Sequence, residues 1–409
     1  MIGAEAPTAR PAPAARGLRG TRAAVAVSAA FGVTMIGVSL PTPLYALYSR
    51  ELGFDGVVVT LVFSTYAVGV AAALVLFGPL SDQLGRRAIL LPGLALAAAS
   101  SAVFLIPHSL PALFAGRLLS GLSAGVFTGT ATAMLVDLAP PGRKRHYSLA
   151  AASVNMLGVG LGPVVAGVLA EFAPAPLVVP YLVHLLLVLC AAVALRAVAE
   201  PRPRAAGPVR WRPQRMGVPP AARPAFVRAA TGGVAGFAVL GLFTSVSPAF
   251  LSQVLGITDH VSGGLVVLAL LGTSAAGQVA SARLAERSAA LVGTSALLVG
   301  VVLIGLSIAA VSLFLLLAGA VVAGVGQGMS FRAGLDAVGT AAPEERRGEV
   351  TSSFFLVLYG AISLPVIGVG VAAQARGLVW AGVLFTGAVA LVAAVALVML
   401  LRRGDETAS

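Results

Sequence analysis

The sequence predicts an all-α membrane protein of twelve spanning helices, arranged as two similar six-helix bundles on either side of an arginine-rich loop. Three observations predict it. Of 409 residues, 58% are hydrophobic and only 10% are charged, whereas soluble domains carry about 25% charged residues. Apolar segments recur along almost the whole chain at the ~20-residue length that crosses hydrocarbon as a helix. They lack the alternation of membrane-barrel strands. The last six segments also repeat landmarks of the first six.

Residues 1–22 are rich in Ala, Pro and Arg without apolar periodicity, which predicts a disordered cytosolic tail. The apolar stretch that follows is too long for a signal-peptide core and ends without a small-residue cleavage site, so it is expected to remain as helix 1. The twelve helices are expected near 23–48, 57–79, 88–106, 111–136, 148–170, 177–198, 226–253, 261–283, 288–308, 311–338, 350–373 and 378–401. Pro41 and Pro43 fall late in helix 1, where a bend requires neighbouring helices or water to satisfy the freed carbonyls. The Pro- and Arg-rich stretch 199–225 forms a central cytosolic loop between bundles at 23–198 and 226–401, and 402–409 form a second tail.

Orientation follows from arginine. One side holds Arg86, Arg87, Arg143, Lys144 and Arg145, the loop residues Arg202, Arg204, Arg210, Arg212, Arg215 and Arg223, then Arg283, Arg287, Arg346, Arg347, Arg402 and Arg403. The other shows only Arg50 and Arg376. This asymmetry predicts both termini in the cytosol. It also explains the formal charge of +12 through topology and anionic headgroups, without a nucleic-acid partner. Cys190 is the only cysteine, which excludes an intramolecular disulfide or a cysteine-based metal site. No metal or cofactor is expected. A single lysine, Lys144, among many Arg, Ala, Gly and Pro residues suggests a GC-rich bacterial source and hence an inner membrane.

The halves match in register. Ala115-Gly116-Arg117 with Gly121 and Gly125 in helix 4 aligns with Ala318-Gly319-Ala320, Gly324 and Gly328 in helix 10. Pro140 and Arg143 align with Pro343 and Arg346, Gly162-Pro163 with Leu364-Pro365 after a small slip, and Ser81–Gly93 with Ser281–Gly293, where Asp82 becomes Ala282. Two parallel six-helix repeats of this kind resemble the architecture of the major facilitator superfamily, and that resemblance implies a substrate site near the midplane between the halves.

The run Gly78-Pro79-Leu80-Ser81-Asp82-Gln83-Leu84-Gly85-Arg86-Arg87 joins helices 2 and 3. Gly78 permits close approach of a neighbouring helix, Gly85 a tight turn, and Asp82 needs a partner at the membrane edge. The run resembles the signature G-x-L-x-D-x-x-G-R-[RK] of the major facilitator superfamily, and the two six-helix repeats resemble its fold. The resemblance covers about residues 23–401. It implies a secondary transporter in which Asp82 contacts the start of helix 11, here Thr351, Ser352 and Ser353, with Arg143 or Arg86 supplying the positive charge. The alternative is a solvated loop without a gating role.

Three further features bear on transport. Leu113-x-x-x-Arg117-x-x-Ser120-Gly121 resembles the family's helix-4 motif, whose arginine faces the cavity and influences proton transfer, which implies a coupling or substrate role for Arg117. Snorkelling or bonding to carbonyls would also account for a buried guanidinium. Gly158, Gly162, Pro163 and Gly167 in helix 5 resemble the antiporter signature G-x-x-x-G-P-x-x-G-G of drug exporters, with Ala166 in place of one glycine. Small-residue packing is a sufficient account for any membrane helix, but the full pattern favours efflux. Helix 1 departs from proton-coupled exporters, because no Asp or Glu occurs from Thr21 to Arg50. Protons would then use Asp137, Asp336, Asp82 or a carboxyl on the cargo.

Asp137 is expected to pair with Arg143 or Arg145, and Arg332 with Asp336 four residues on. His184 reads as a packed, hydrogen-bonded residue. Met35, Tyr66, Asn155, Phe243, Gln327, Phe355 and Tyr359 are cavity candidates, suited to amphiphilic or aromatic molecules. No H-E-x-x-H, G-x-x-x-x-G-K or G-x-S-x-G motif is present, so no enzyme or nucleotide-driven pump is expected. The expected protein is a monomeric, proton-coupled exporter of small organic molecules, with lipid as its surroundings. The alternatives are a carrier of one metabolite (sugar, organic acid or amino acid) and a non-transporting membrane sensor.

Overall fold

A computed structural model describes residues 17–78, 80–106, 109–202, 211 and 213–406. Most of the expected N-terminal tail, most of the central loop with Arg204, Arg210 and Arg212, and residues 407–409 lie outside them. Among the described residues, twelve helices are long and apolar enough to cross a membrane. They are α1 (Gly20–Leu52), α2 (Gly56–Phe77), α3 (Arg86–Leu105), α4 (Leu110–Leu138), α5 (Lys144–Phe172), α6 (Val179–Arg196), α7 (Pro220–Ser245), α8 (His260–Ser281), α9 (Glu286–Ala309), α10 (Leu313–Ala341), α11 (Glu344–Arg376) and α12 (Leu378–Arg402).

The helices start and stop where local chemistry dictates. Asp55 caps α2 by accepting from the Val58 N–H at 3.1 Å, and Asp259 caps α8 by accepting from the Ser262 N–H at 2.7 Å. Pro111 and Pro180 stand in the first turns of α4 and α6, where the missing N–H costs nothing. α1 is interrupted after Ser39 by a short 3₁₀ turn, Thr42–Leu44, because Pro41 and Pro43 offer no N–H to the carbonyls one turn back. α7 is interrupted in the same way before the short helix Ser247–Gln253, which contains Pro248.

Packing within the halves is equivalent. α4 packs on α1, α2 and α3, and α6 on α1 and α3. In the second half α10 packs on α7, α8 and α9, and α12 on α7 and α9. Most contact between the halves is made by two pairs, α2 with α11 and α5 with α8, and the same approximate twofold exchanges them. A single large hydrophobic cluster runs through both bundles.

Several boundaries differ from expectation by a few residues. α1 begins at Gly20 instead of 23, and Leu18 ahead of it pairs with the exit of α6, donating to the Ala197 carbonyl at 2.7 Å and accepting from the Ala199 N–H at 3.0 Å. α12 stays helical to Glu406, so the short tail is largely a continuation of that helix. Residues 220–222 of the expected loop form a 3₁₀ turn leading into α7.

Candidate transport pathway and its gates

The expected signature loop begins with a five-residue helix, Leu80–Leu84, followed by Gly85 at φ +97°. Only glycine tolerates that angle here, and an added Cβ would press on the Glu200 carboxylate. Glu200 accepts from the Arg86 and Arg87 N–H groups, both at 2.9 Å. It therefore caps α3 from the far side of α6, where the helix dipole favours an anion. Arg87 returns the contact by donating to the Arg196 and Val198 carbonyls.

Arg86 is the hub of this loop. Its buried guanidinium pairs with Asp82 at 2.8 Å and Asp137 at 3.1 Å, and donates to the Ser81 hydroxyl at 2.7 Å. Asp82 also pairs with Arg202 at 2.8 Å. Two expectations are corrected. Asp137 pairs with Arg86 and not with Arg143 or Arg145, because the end of α4 lies directly over the start of α3. Asp82 does not reach the start of α11, because Arg86 and Arg202 already hold it. Arg143 is exposed at the start of α5, without an ion pair among the described residues.

A stretch of the central loop lies between the halves at this arginine-rich face. The Gln214 N–H donates to the Val75 carbonyl at 2.7 Å and the Trp211 indole to the Leu76 carbonyl at 3.1 Å. Val75 is open to this contact because residue 79, one turn on, is a proline without an N–H. On the other side the Gly217 N–H donates to the Ser353 hydroxyl of α11 at 3.0 Å. The strap replaces the direct contact expected from Asp82. It also corrects the role of Gly78, which faces its own Leu74 carbonyl and the Gln214 side chain instead of a neighbouring helix. Two more links cross here: Arg145 donates to the Ala282 carbonyl, and Arg332 donates to Ser148 at 3.3 Å while pairing with Asp336 at 3.0 Å.

Toward the opposite, arginine-poor face the halves meet backbone to backbone. Gly264 of α8 lies against the Pro163 carbonyl, Gly167 of α5 against the His260 carbonyl, and Gly370 of α11 against Thr60 of α2. Asp55 accepts from Gln374 at 2.8 Å, and Glu171 bonds His260 at 2.9 Å. The helix-5 motif is thus divided: Pro163 and Gly167 face α8, while Gly158 and Gly162 face Met35 and Ile36 of α1. Between the ends of α1, α2, α7 and α11 at this arginine-poor face lies a vestibule of about 360 Å³, lined by hydroxyl and amide side chains such as Thr42, Tyr45, Ser49, Thr60, Gln253 and Gln374.

Aromatic rings fill the centre. Tyr66 of α2 meets Tyr359 of α11 edge-on at 6.2 Å, and Tyr359 meets Phe355 at 6.5 Å and Phe237 at 6.3 Å. Phe331 adjoins Phe237 at 5.4 Å and Phe355 at 6.1 Å. Arg117 lies over Tyr66 at 4.9 Å and over Phe63 at 5.5 Å, and donates to the Val38 and Phe63 carbonyls. Val38 stands just before the proline break of α1, so the guanidinium takes up a carbonyl that the break leaves available.

The family model for the Major Facilitator Superfamily matches residues 24–364. The chain belongs to the major facilitator superfamily. It is accordingly a multi-pass membrane protein with the twelve-helix fold of that superfamily. The quinolone resistance protein NorA of Staphylococcus aureus is 29% identical over 137 residues, 33% of this chain and 35% of that protein. An uncharacterized MFS-type transporter of Methanocaldococcus jannaschii is 27% identical over 138 residues, 34% of this chain and 36% of the relative. The matches thus span about a third of these relatives' length. Among solved structures, a POT family transporter in complex with 5-aminolevulinic acid gives a TM-score of 0.74 at 13% identity, over 93% of this chain and 96% of that one. A bacterial homolog of the human lysosomal transporter Spinster, inward-facing and unoccupied, gives 0.70 at 15% identity, over 93% and 97%. At these identities the solved structures speak for the fold.

Within the superfamily fold the cavity candidates separate into two groups. Tyr66 and Tyr359 meet across the halves, and Phe355 adjoins Tyr359. Met35 packs on Gly158 instead, Phe243 faces α9, α10 and α12 inside its own half, and Gln327 accepts from the Ser274 hydroxyl between α8 and α10. Asn155 reaches Thr128 of α4 at 3.5 Å. His184 is held on both ring nitrogens, by Ser101 at 2.7 Å and the Val33 carbonyl at 3.0 Å. The carbonyl can only accept, so Nε2 carries a proton and donates to it. Phe237, Phe331 and Phe63 were not singled out by sequence, since an apolar aromatic in an apolar helix carries no mark of its facing.

Proposed function

We propose that this protein is a secondary exporter of small aromatic or amphiphilic molecules, working as a monomer by alternating access and coupled to protons. The observation that carries the reading is the Tyr66–Tyr359 contact within a ring cluster drawn from both halves. Rocking the halves apart would turn those rings toward an entering molecule, and aromatic walls suit such cargo. Efflux is supported by the helix-5 motif, whose Pro163 and Gly167 lie on α8 of the other half, and by the partial likeness to a quinolone resistance protein.

In this reading the arginine-rich face is cytosolic, in keeping with the charge asymmetry, and the membrane is the inner one of a bacterium. The strap and the Arg145 and Arg332 links form the inner gate. The α2–α11 and α5–α8 contacts form the outer gate. Asp82, Asp137 and Asp336 near the cytosolic ends are the proton-carrying candidates on the chain, and a carboxyl on the cargo is the remaining one.

The test is accumulation and resistance across a broad compound set in an efflux-deficient bacterial host, followed by proteoliposomes under an imposed proton gradient. Lower accumulation of several unrelated aromatic compounds supports export. Uptake of one metabolite alone would replace it with a specific carrier, and no movement of any compound would abandon transport of this class.

A further inference from the structure

We infer that the cargo carries an anionic group of the carboxylate class on its aromatic or amphiphilic body, and that Arg117 receives that group. The inference rests on the transport reading above and specifies its cargo. Among the described residues, Arg86 and Arg117 are the only buried arginines, and no carboxylate or lysine is buried with them. Arg86 has two carboxylates. Arg117 has none. Two of its nitrogens donate to the Val38 and Phe63 carbonyls, its plane rests on Phe63 and Tyr66, and its Nε–H has no partner among the described residues.

A desolvated, uncompensated guanidinium makes the surrounding potential positive. Such a site disfavours an organic cation and favours an anion. The planar fork of arginine suits a carboxylate, and charge-assisted bonds of this kind are the strong ones.

Position agrees with chemistry. On one side Arg117 touches the ring series Tyr66–Tyr359–Phe355. On the other it donates to the Val38 carbonyl, one helical turn before Thr42 of the vestibule lining. The residues lining that vestibule include Ser, Thr, Gln and Tyr and no charged side chain, so an anion leaving Arg117 meets hydrogen-bond donors and no lining carboxylate. In the second half the residue in register is Ala320, fully buried, so the positive site belongs to one half alone. An aromatic carboxylate would lie along the rings with its charged end at Arg117.

The test uses the purified full chain in lipid nanodiscs and three matched probes: 1-naphthoate, neutral 1-naphthamide and cationic 1-naphthylmethylammonium. Titration calorimetry on the unsubstituted protein should give naphthoate about tenfold or more tighter binding than the ammonium probe, a ratio in the range of one charge-assisted bond. In Arg117→Gln the ratio of naphthoate to naphthamide affinity should fall to about one, and Arg117→Lys should retain part of it. Preference for the ammonium probe, an unchanged ratio in Arg117→Gln, or no binding of any probe would overturn the inference. If Arg117→Gln does not fold, the probe ratio of the unsubstituted protein decides alone. Efflux of cations only in the host screen would overturn the anionic cargo while leaving export standing.

Discussion

α4 and α10 occupy equivalent places and bring glycines to the same crossings. Gly121 and Gly125 lie on the α2 carbonyls of Tyr66 and Val70, and Gly324 and Gly328 on the α8 carbonyls of Leu270 and Ser274. Yet α4 carries buried Arg117 where α10 carries Ala320. The loops after α2 and α8 diverge likewise. Gly85 at φ +97° and Arg86 in its carboxylate cluster correspond to Ala285 at φ −62° and exposed Glu286. The shared parts are those that bring helices together. Among the described residues the first half alone carries buried arginine, while the second supplies most of the central rings. One scaffold thus serves two tasks, and the difference between halves marks where chemistry was added.

Paired substitutions can break or sharpen this contrast. The largest effect is expected from Arg86→Ala, which strands Asp137, while Asp82 keeps Arg202. Removing one member of a buried pair costs ~3–5 kcal/mol, toward the lower figure here because Asp82 is half-exposed. Glu286→Ala, at the matching exposed position, should stay within about 0.5 kcal/mol. Thermal unfolding in detergent compares the two, and similar losses would contradict the asymmetry.

Next is Gly85→Ala, expected to cost ~1–3 kcal/mol from its backbone angle and from contact with Glu200, whereas Ala285→Gly should change stability by less than ~1 kcal/mol. Gly121→Val and Gly324→Val should each cost ~1–3 kcal/mol through overpacking, and by similar amounts. A large difference between them would show that the crossings are not equivalent.

Trp211→Ala removes one bond of the strap, worth ~1 kcal/mol. In a Cys190→Ala background, Ser353→Cys should be labelled faster once Trp211 is removed, and an unchanged rate would mean that the strap does not cover α11. The smallest effect belongs to the caps. The Ser262 N–H holds the Asp259 carboxyl below its usual range. Its folded-state pKa is depressed, so its contribution is present near neutral pH and fades as pH falls through that value. Asp259→Asn should flatten this acid-side dependence with a loss of a few tenths of a kcal/mol, read from unfolding midpoints between acid and neutral pH.

Much of this architecture was legible in the residues. Helix length, the alternation of arginines and the Gly121/Gly324 register are local or periodic signals, and they give twelve helices in two halves. The Arg332–Asp336 pair was legible because i and i+4 share a face. Partners chosen across the fold were not. Glu200 caps α3 from beyond α6, and nothing near Glu200 announces that. Gln214 and Trp211 reach α2 because Pro79 leaves the Val75 carbonyl open, yet a proline does not name the donor that comes. Facing within apolar helices was equally silent, which is why Met35 and Phe243 pack inside their own halves while Phe237 and Phe331 stand at the centre.

Glu200 also bears on how the protein moves. It fastens α3 to the end of α6, Arg87 fastens α6 back to α3, and Leu18 ties the chain ahead of α1 to the same spot. The rim of the first bundle is therefore a closed hoop with little internal play. In the alternating-access cycle proposed above, this hoop would travel with the first bundle as one piece.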